Sequence, residues 1–261
     1  YSKITGNNND CFPDTSKNVA IRFAGEFGCL VVPGYNPTTT TTTYASIYSD
    51  ETPTTGGTIL LNNGSNNGQI TIYCGSISNF ASTTTGLNDG KWHHVAFTRS
   101  GSTVRLFVDG TLQNTTTASG TLTSTSTFRI ANSYFGGRLF GGYISNFRVT
   151  NTAVYTSSFT PSTITLTAIS GTSLLTCQSN SFIDNSSNNF TMTVAGGSPS
   201  VQRFSPFSPT TAYSTSVIGG SAYFDGTSAN LITTNTVTTI GTQDFCLEAW
   251  VYCFSTTSYA C

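Results

Sequence analysis

Charged residues are scarce in this sequence. Lys, Arg, Asp and Glu make up 8% of the 261 residues, and ten basic against eleven acidic residues give a formal net charge of −1. An ordinary soluble domain has about 25% charged residues. No basic patch is visible, which argues against nucleic-acid binding and against electrostatic attachment to anionic membranes. No apolar run approaches the roughly 20 residues of a transmembrane helix, so membrane insertion is not expected.

Helical periodicity is also lacking. Short β-rich runs alternate with clusters of Gly, Asn, Ser and Thr, and Thr, a β-branched residue, favours strands. Many short strands with regular turn signals indicate an all-β, antiparallel β-sandwich of the jelly-roll type. The predicted strands are residues 19–23, 29–32, 45–48, 58–61, 69–74, 92–98, 104–108, 127–131 and 142–150.

The seven cysteines contain no C-x-x-C pair, which makes a zinc ribbon improbable on spacing. Their odd number leaves at least one thiol unpaired within the chain. A chain of this size needs no disulfide framework, so we expect mostly buried free thiols, although the pairing is left open. The residues are Cys11, Cys29, Cys74, Cys177, Cys246, Cys253 and Cys261.

Histidine and glutamate are too few to suggest a catalytic or metal centre. His93 and His94 are the only histidines, and neighbouring strand residues point to opposite faces, so a structural role is expected for both. The glutamates are Glu26, Glu51 and Glu248. Jelly-roll glycosidases need two carboxylates that face one cleft, and Glu248 has no such partner at the alternating positions of its strand. We therefore predict no enzymatic activity and name no catalytic, cofactor-binding or metal-binding residues.

Several aspartates lie in turns. Asp89, Asp109, Asp184 and Asp225 each stand next to Gly or Asn, where an Asp side chain accepts hydrogen bonds from nearby backbone amides. Loop-rim aspartates also occur in calcium sites, but a clustered D-x-D run is absent here. No cofactor is predicted, and calcium is left open without named ligands.

Trp92 and Trp250 are the only tryptophans. Strand aromatics are more often core residues than binding residues, because each buries a large area. We predict that Trp92 belongs to the core, and keep a sugar-stacking platform as the alternative for these residues and several tyrosines.

A sequence pattern that occurs twice in the chain indicates tandem repeats. Residues 224–231 follow residues 23–30 at a spacing of 201 positions, and both segments have the frame F-x-G-x-x-x-x-L. The expected domains are residues 1–161, a linker at 162–171, and the first half of a second copy at 172–261.

The expected half-domain includes the apolar run FCLEAWVY. Its side chains Phe245, Leu247, Trp250 and Val251 would lack a facing sheet if the half stood alone. We expect the chain either to continue past Cys261 or to be completed by strand donation from a neighbouring subunit.

Particular motifs add a family resemblance. Residues 86–110, GLNDGKWHHVAFTRSGSTVRLFVDG, and 142–149, GYISNFRV, resemble the second half of a laminin G-like jelly roll of the concanavalin A-like class. Residues 220–226 and 245–252 resemble its first half. The phrases at 153–161 and 168–207 are similar to tandem repeats in very long proteins of marine bacteria and their phages, which implies surface adhesins or virion fibres.

The resemblance and the composition lead to one functional hypothesis and one alternative. The hypothesis is a non-enzymatic structural or adhesive module of a virion fibre or cell-surface filament, extracellular or on the virion. Its partners would be other subunits or repeats of a larger assembly and, if it is adhesive, glycans. The alternative is a secreted, lectin-like carbohydrate-binding module.

Overall fold

The computed structural model describes a chain of strands, turns and loops. The described residues are 19–22, 29–32, 44–50, 57–64, 67–75, 77–118, 127–135, 137–197, 199–202, 204–207, 220–234 and 244–253. None of the residues in these ranges is helical, so they include no helix long and apolar enough to cross a membrane.

The first of two compact units, residues 1–38, contains one pair of antiparallel strands. Strands β1 (Val19–Arg22) and β2 (Cys29–Val32) pair antiparallel, with Val19 opposite Val32 and Arg22 opposite Cys29.

The second unit contains a seven-stranded antiparallel sheet. Its order across the sheet mixes strands from distant parts of the sequence, beginning and ending with edge strands from residues 193–195 and 77–81. In sheet order the strands are β13 (Thr193–Ala195), β16 (Asn230–Thr233), β10 (Phe128–Ile130), β3 (Ala45–Ser49), β4 (Gly57–Leu61), β5 (Ile70–Cys74) and β6 (Ile77–Ala81).

The facing sheet has eight strands. Seven form a continuous path and the eighth, β12 (Thr172–Thr176), pairs with the end of β11. The path runs through β14 (Ser200–Gln202), β15 (Ser221–Asp225), β11 (Gly141–Thr150), β17 (Phe245–Cys253), β7 (Trp92–Ser100), β8 (Thr103–Val108) and β9 (Thr111–Thr117).

Alternating apolar residues of both sheets form the core between them. On β5, Ile70 and Ile72 are buried in it, as their period-two pattern predicts. From the other sheet, Phe147, Phe245 and Leu247 pack into the same cluster. The predicted two-sheet antiparallel sandwich is therefore confirmed.

The strand pairing crosses the expected linker at 162–171. β15 and β17 both pair with β11, and β16 pairs with β10, so segments from either side of the linker share both sheets. The described strands from β3 to β17 thus belong to one sandwich. Phe245, Leu247 and Val251, which would lack a facing sheet if residues 172–261 stood alone, are buried in the core shared by both sheets.

Candidate functional site

The outer face of the eight-stranded sheet carries the candidate site. Along β17, Leu247 and Val251 belong to the core, so the alternate residues Glu248, Trp250 and Tyr252 point away from it. The same alternation on β7 directs His94 outward, directly opposite Trp250.

Five aromatic residues, here called the outer aromatic cluster, meet at one end of this face. Trp92 lies 5.2 Å from Phe204 and 5.5 Å from Tyr252 between ring centroids. Tyr143 lies 4.8 Å from Phe204 and 5.4 Å from Tyr223. Phe204 is 37% exposed, whereas Tyr252 is 8% exposed. Burial, followed by the neighbouring Tyr223 and Tyr252, raises the pKa of Tyr143 to about 12.

This cluster corrects the prediction for Trp92. The residue lies on the outer face and is half-buried, and it is not among the side chains packed between the sheets. Its position at the start of β7 places it on the same side as His94, because the two are separated by one residue. Trp92 is therefore an outer-face residue and not a core residue.

A groove of about 540 Å³ adjoins the cluster. Trp250 and Phe207 form its aromatic wall, with ring centroids 5.7 Å apart at an interplanar angle of 80°. Trp250 is two residues from Tyr252 on the same face of β17, so the groove lies next to the outer aromatic cluster. Its lining residues are Asp109, Thr160, Pro161, Ser162, Thr163, Pro206, Phe207 and Trp250.

Asp109 supplies the carboxylate of the groove. Its Oδ1 accepts a hydrogen bond from the backbone amide of His94 at 2.8 Å, and its Oδ2 lies 2.8 Å from Nδ1 of His93. Partial burial opposes ionisation, but these hydrogen bonds outweigh it and lower the pKa of Asp109. Burial also lowers the pKa of His93, yet its hydrogen bonds to Asp109 and Asp89 give a net increase. The carboxylate is thus held ionised as an acceptor.

A buried polar network lies beside the groove, centred on Glu248. The Glu248 carboxylate accepts from Nε of Arg148 at 2.6 Å and from the hydroxyl of Tyr155 at 2.6 Å, while Nε2 of His94 lies 3.2 Å away. Burial alone would raise the pKa of Glu248, but His94, Arg148 and Tyr155 together lower it. Nη1 of Arg148 also donates to the carbonyl of Thr167 at 3.1 Å.

The network is sealed by the segment after β11. Tyr155 and Phe159 stack with ring centroids 3.5 Å apart, and both rings contact His94 edge-on. Burial and the charge of Glu248 raise the pKa of Tyr155. The Glu248 side chain is 0% exposed, so its carboxylate cannot touch a ligand in the groove.

The structure separates the two histidines as their strand positions predict. His94 contacts Glu248, whereas His93 bridges Asp89 and Asp109 through its two ring nitrogens. Because the two aspartates bind opposite ends of one imidazole, they do not converge on a common point. Within the ranges that the structure describes, no group of three or more His, Cys, Asp or Glu residues is arranged to hold a metal ion.

The remaining predicted residues are placed as follows. Asp184 and Asp225 cap turns as predicted: Asp184 accepts from the amides of Leu175, Ser186 and Phe190, and Asp225 from those of residues 227–229. Glu26 and Glu51 lie outside the described residues. The buried free thiols are Cys74, Cys177, Cys246 and Cys253, whereas Cys11 and Cys261 lie outside the described residues and Cys29 is described by its backbone alone.

Sequence reasoning missed Phe204 and Phe207. Both lie in an irregular segment, 204–207, that follows β14, where no periodicity marks the face that a side chain covers. The only available signal was the pair of phenylalanines in the run FSPF, which is unusual in an exposed loop. Arg148 and Tyr155 were missed for a different reason, since their common partner Glu248 is about 100 residues away.

Comparison with known proteins agrees with this architecture. Residues 35–164 match the laminin G family model described as the concanavalin A-like lectin/glucanases superfamily. No curated protein and no solved structure matches the chain. Together with the two packed antiparallel sheets, the match identifies residues 35–164 as a concanavalin A-like lectin/glucanase domain.

Proposed function

We propose that this protein is a non-enzymatic adhesive module that binds a glycan in the groove beside Trp250. The observation that carries the proposal is the combination of an aromatic wall, Trp250 and Phe207, with the carboxylate of Asp109 in one open groove. Sugar rings present apolar C–H faces that stack on aromatic side chains, while their hydroxyls need hydrogen-bond acceptors and donors.

The other lining residues suit the same ligand. Ser162 and Thr163 bring hydroxyl groups to the groove, and Pro161 and Pro206 add rigid apolar surface. Next to it, the outer aromatic cluster offers further partly exposed rings. A groove next to a second aromatic patch favours an extended chain of sugars over a single one.

Binding without hydrolysis is supported by the state of Glu248. This carboxylate is fully buried and forms an ion pair with Arg148, so it has neither the access nor the protonation state of a general acid. Asp109 is the one carboxylate among the residues that line the groove, and a glycosidase site needs a pair.

The setting we propose is a virion fibre or cell-surface filament, outside the cell. Low charge and high hydroxyl content suit such an environment, and the repeat spacing supports an array of similar units. Strand β2 (29–32) falls at the same repeat position as β16 (230–233), 201 residues earlier. A secreted lectin-like module would use the same groove and is distinguished by the absence of further repeats in the native protein.

The test is a glycan array followed by affinity measurement on the best ligand. We expect the Trp250→Ala variant to lose at least tenfold in affinity, because the stacking wall is removed. Tyr134→Ala is the matched control, since Tyr134 is an exposed aromatic (46%) that does not line the groove, and it should bind like the native protein. Absence of binding across the array, or equal affinity of both variants, would refute the proposal.

A further inference from the structure

His93 joins two separate turns at one end of the eight-stranded sheet. It follows the bend at residues 89–91, and its ring lies between Asp89 of that bend and Asp109 of the turn that connects β8 with β9. Nε2 of His93 is 3.0 Å from Oδ1 of Asp89, and Nδ1 is 2.8 Å from Oδ2 of Asp109. Asp109 lines the groove, whereas Asp89 is not among the lining residues. One imidazole thus couples a groove residue to a neighbouring turn.

Two carboxylates at the two ring nitrogens require the protonated form of His93. The imidazolium has two N–H donors, whereas neutral imidazole has one donor and one lone pair. In either neutral tautomer, one carboxylate oxygen would face that lone pair with no proton between them. The contact on that side would break, and the ring would no longer be anchored at both ends. The observed geometry is therefore that of the imidazolium.

The charges around His93 balance in this protonated state. Asp109 and Asp89 act on the imidazole directly, and Nζ of Lys91 lies 2.9 Å from Oδ2 of Asp89. Two anions and two cations cancel while His93 is charged. Loss of its proton leaves one negative charge uncompensated beside the groove.

Two further titratable residues lie on the strands that carry or adjoin His93. Tyr252 is on β17, and burial, followed by the charge of Asp89, raises the pKa of its phenol, which therefore stays neutral at neutral pH. His94 points to the opposite face of β7, where its Nε2 lies 3.2 Å from Glu248. Its titration is distinguished from that of His93 in the experiment below.

The two aspartates favour protonation of His93. Burial alone would lower the pKa of His93, but the hydrogen bonds to Asp109 and Asp89 outweigh it and raise the pKa above its ordinary value of 6.5. The doubly bonded ring is therefore fully present below pH 6.5 and is lost as the pH rises through the higher folded-state value.

His93 matters to the groove because it orients the Asp109 carboxylate. Oδ1 of Asp109 accepts a hydrogen bond from the backbone amide of His94 at 2.8 Å. One hydrogen bond fixes one oxygen, whereas the second bond, to His93, also fixes the plane of the carboxylate. The Asp109 side chain is 49% exposed, so its oxygens keep lone pairs for a ligand hydroxyl. An acceptor that is already fixed binds a hydroxyl more tightly than one that must be ordered on binding.

We propose that protonated His93 is a positioning residue of the groove, which acts through Asp109 and makes glycan affinity depend on pH. This inference rests on the glycan-binding function proposed above. Affinity is highest while the imidazolium bridges Asp89 and Asp109, and it declines when the proton is lost. The groove then holds a glycan more tightly in mildly acidic than in alkaline surroundings.

The experiment measures affinity for the best uncharged glycan of the array between about pH 5.5 and pH 8.5, and follows the histidine ring signals by NMR over the same range. In the native protein, affinity should fall by about threefold to tenfold, the effect of one lost hydrogen bond, with a midpoint that matches the titration of His93. His93→Gln cannot carry a charge. It identifies the His93 signal and should bind weakly at every pH.

Asp89→Asn tests the positioning role without a change among the groove-lining residues. Asn keeps an oxygen acceptor for Nε2 of His93 but has no charge, so the pKa of His93 should fall, and the midpoint of affinity should move to lower pH with it. Asp225→Asn is the matched control, because Asp225 binds the amides of its own turn, and it should leave both midpoints unchanged.

The outcomes separate this inference from the proposed function. Glycan binding that is constant over the pH range, or either midpoint unmoved in Asp89→Asn, would overturn the role of His93 alone. Absence of glycan binding at every pH would refute the proposed function, and the role of His93 with it.

Discussion

Arg148 and Glu248 stand opposite each other on β11 and β17, with Nε of Arg148 2.6 Å from Oε1 of Glu248. They are 100 residues apart in sequence, on either side of the expected linker. Both side chains are buried, and Tyr155 and His94 satisfy the remaining carboxylate oxygen. This ion pair thus joins two segments that are distant in sequence within one sheet.

Removal of Arg148 should destabilise the sandwich strongly. Arg148→Met leaves a buried carboxylate without its cation, and we expect a loss of about 3–5 kcal/mol in the free energy of unfolding. Chemical denaturation measures it. The double variant Arg148→Met/Glu248→Leu should recover much of this loss, because no charge is then left unpaired. A single variant as stable as the native protein would contradict a buried pair.

Asp225 should make the fold sensitive to acid. Its hydrogen bonds from three backbone amides outweigh partial burial and lower its pKa from 3.8 to about 2. A carboxyl group with a lowered folded-state pKa stabilises the fold above its unfolded pKa, and this contribution is lost as the pH falls from 3.8 to about 2.

The measurement compares unfolding free energies between pH 5 and pH 2 for native protein and Asp225→Asn. The variant keeps an acceptor oxygen but has no titrating group, so its stability should fall less over this range. Ser228→Ala, in the same turn, should follow the native protein, because Ser228 contributes its backbone amide to Asp225. Parallel pH curves for native protein and Asp225→Asn would exclude this role.

Four cysteines should be unreactive in the folded chain. Burial raises the pKa of Cys177 and of Cys253 to about 12, and Cys74 and Cys246 are buried as well. A thiol reagent attacks the thiolate, so native protein under reducing pretreatment should label at no more than three of its seven cysteines. Mass spectrometry counts the labels, and denatured protein provides the full count. Rapid native labelling of Cys246 would show that β17 is not held in the sheet.

Hydrolysis of polysaccharides should be undetectable. Glu248 is sealed from the groove, and Asp109 has no second carboxylate among the groove-lining residues. Reducing-sugar release from laminarin, agarose and alginate provides the assay. Release that disappears in Glu248→Gln would make this residue catalytic and reverse the interpretation of the buried network.

Local patterns were sufficient to predict most of the strands between residues 44 and 150. The alternation in residues 69–74 and the turn-bounded run 92–98 identify β5 and β7, because burial of one face imposes a period of two. β9 was missed, since its Thr-rich stretch shows no apolar alternation and its residues are largely exposed. The sequence of β17 predicts a strand, but local alternation does not specify which sheet receives it.

The candidate site was predictable only in part. Trp92 and Trp250 are the two tryptophans of the sequence. The alternation along β17 predicts that Trp250 lies on the face of the strand that points away from the core. Phe204, Phe207 and Asp109 converge on them through loops and a neighbouring strand, a tertiary arrangement without a local signature. The prediction that Trp92 lies in the core was wrong. A large aromatic residue at a strand end packs equally well on the outer face when an irregular segment covers it, as 204–207 does here through Phe204.

Glycan binding at Trp250 is the central claim, and the two indole N–H groups of this chain test it directly. Proton–nitrogen NMR of labelled protein gives one side-chain indole signal each for Trp92 and Trp250, assigned with Trp250→Phe. During titration with the best ligand from the array, we expect the Trp250 signal to shift in proportion to saturation. Tight binding that leaves the Trp250 signal unmoved would contradict the claim, because the ligand would then occupy another surface.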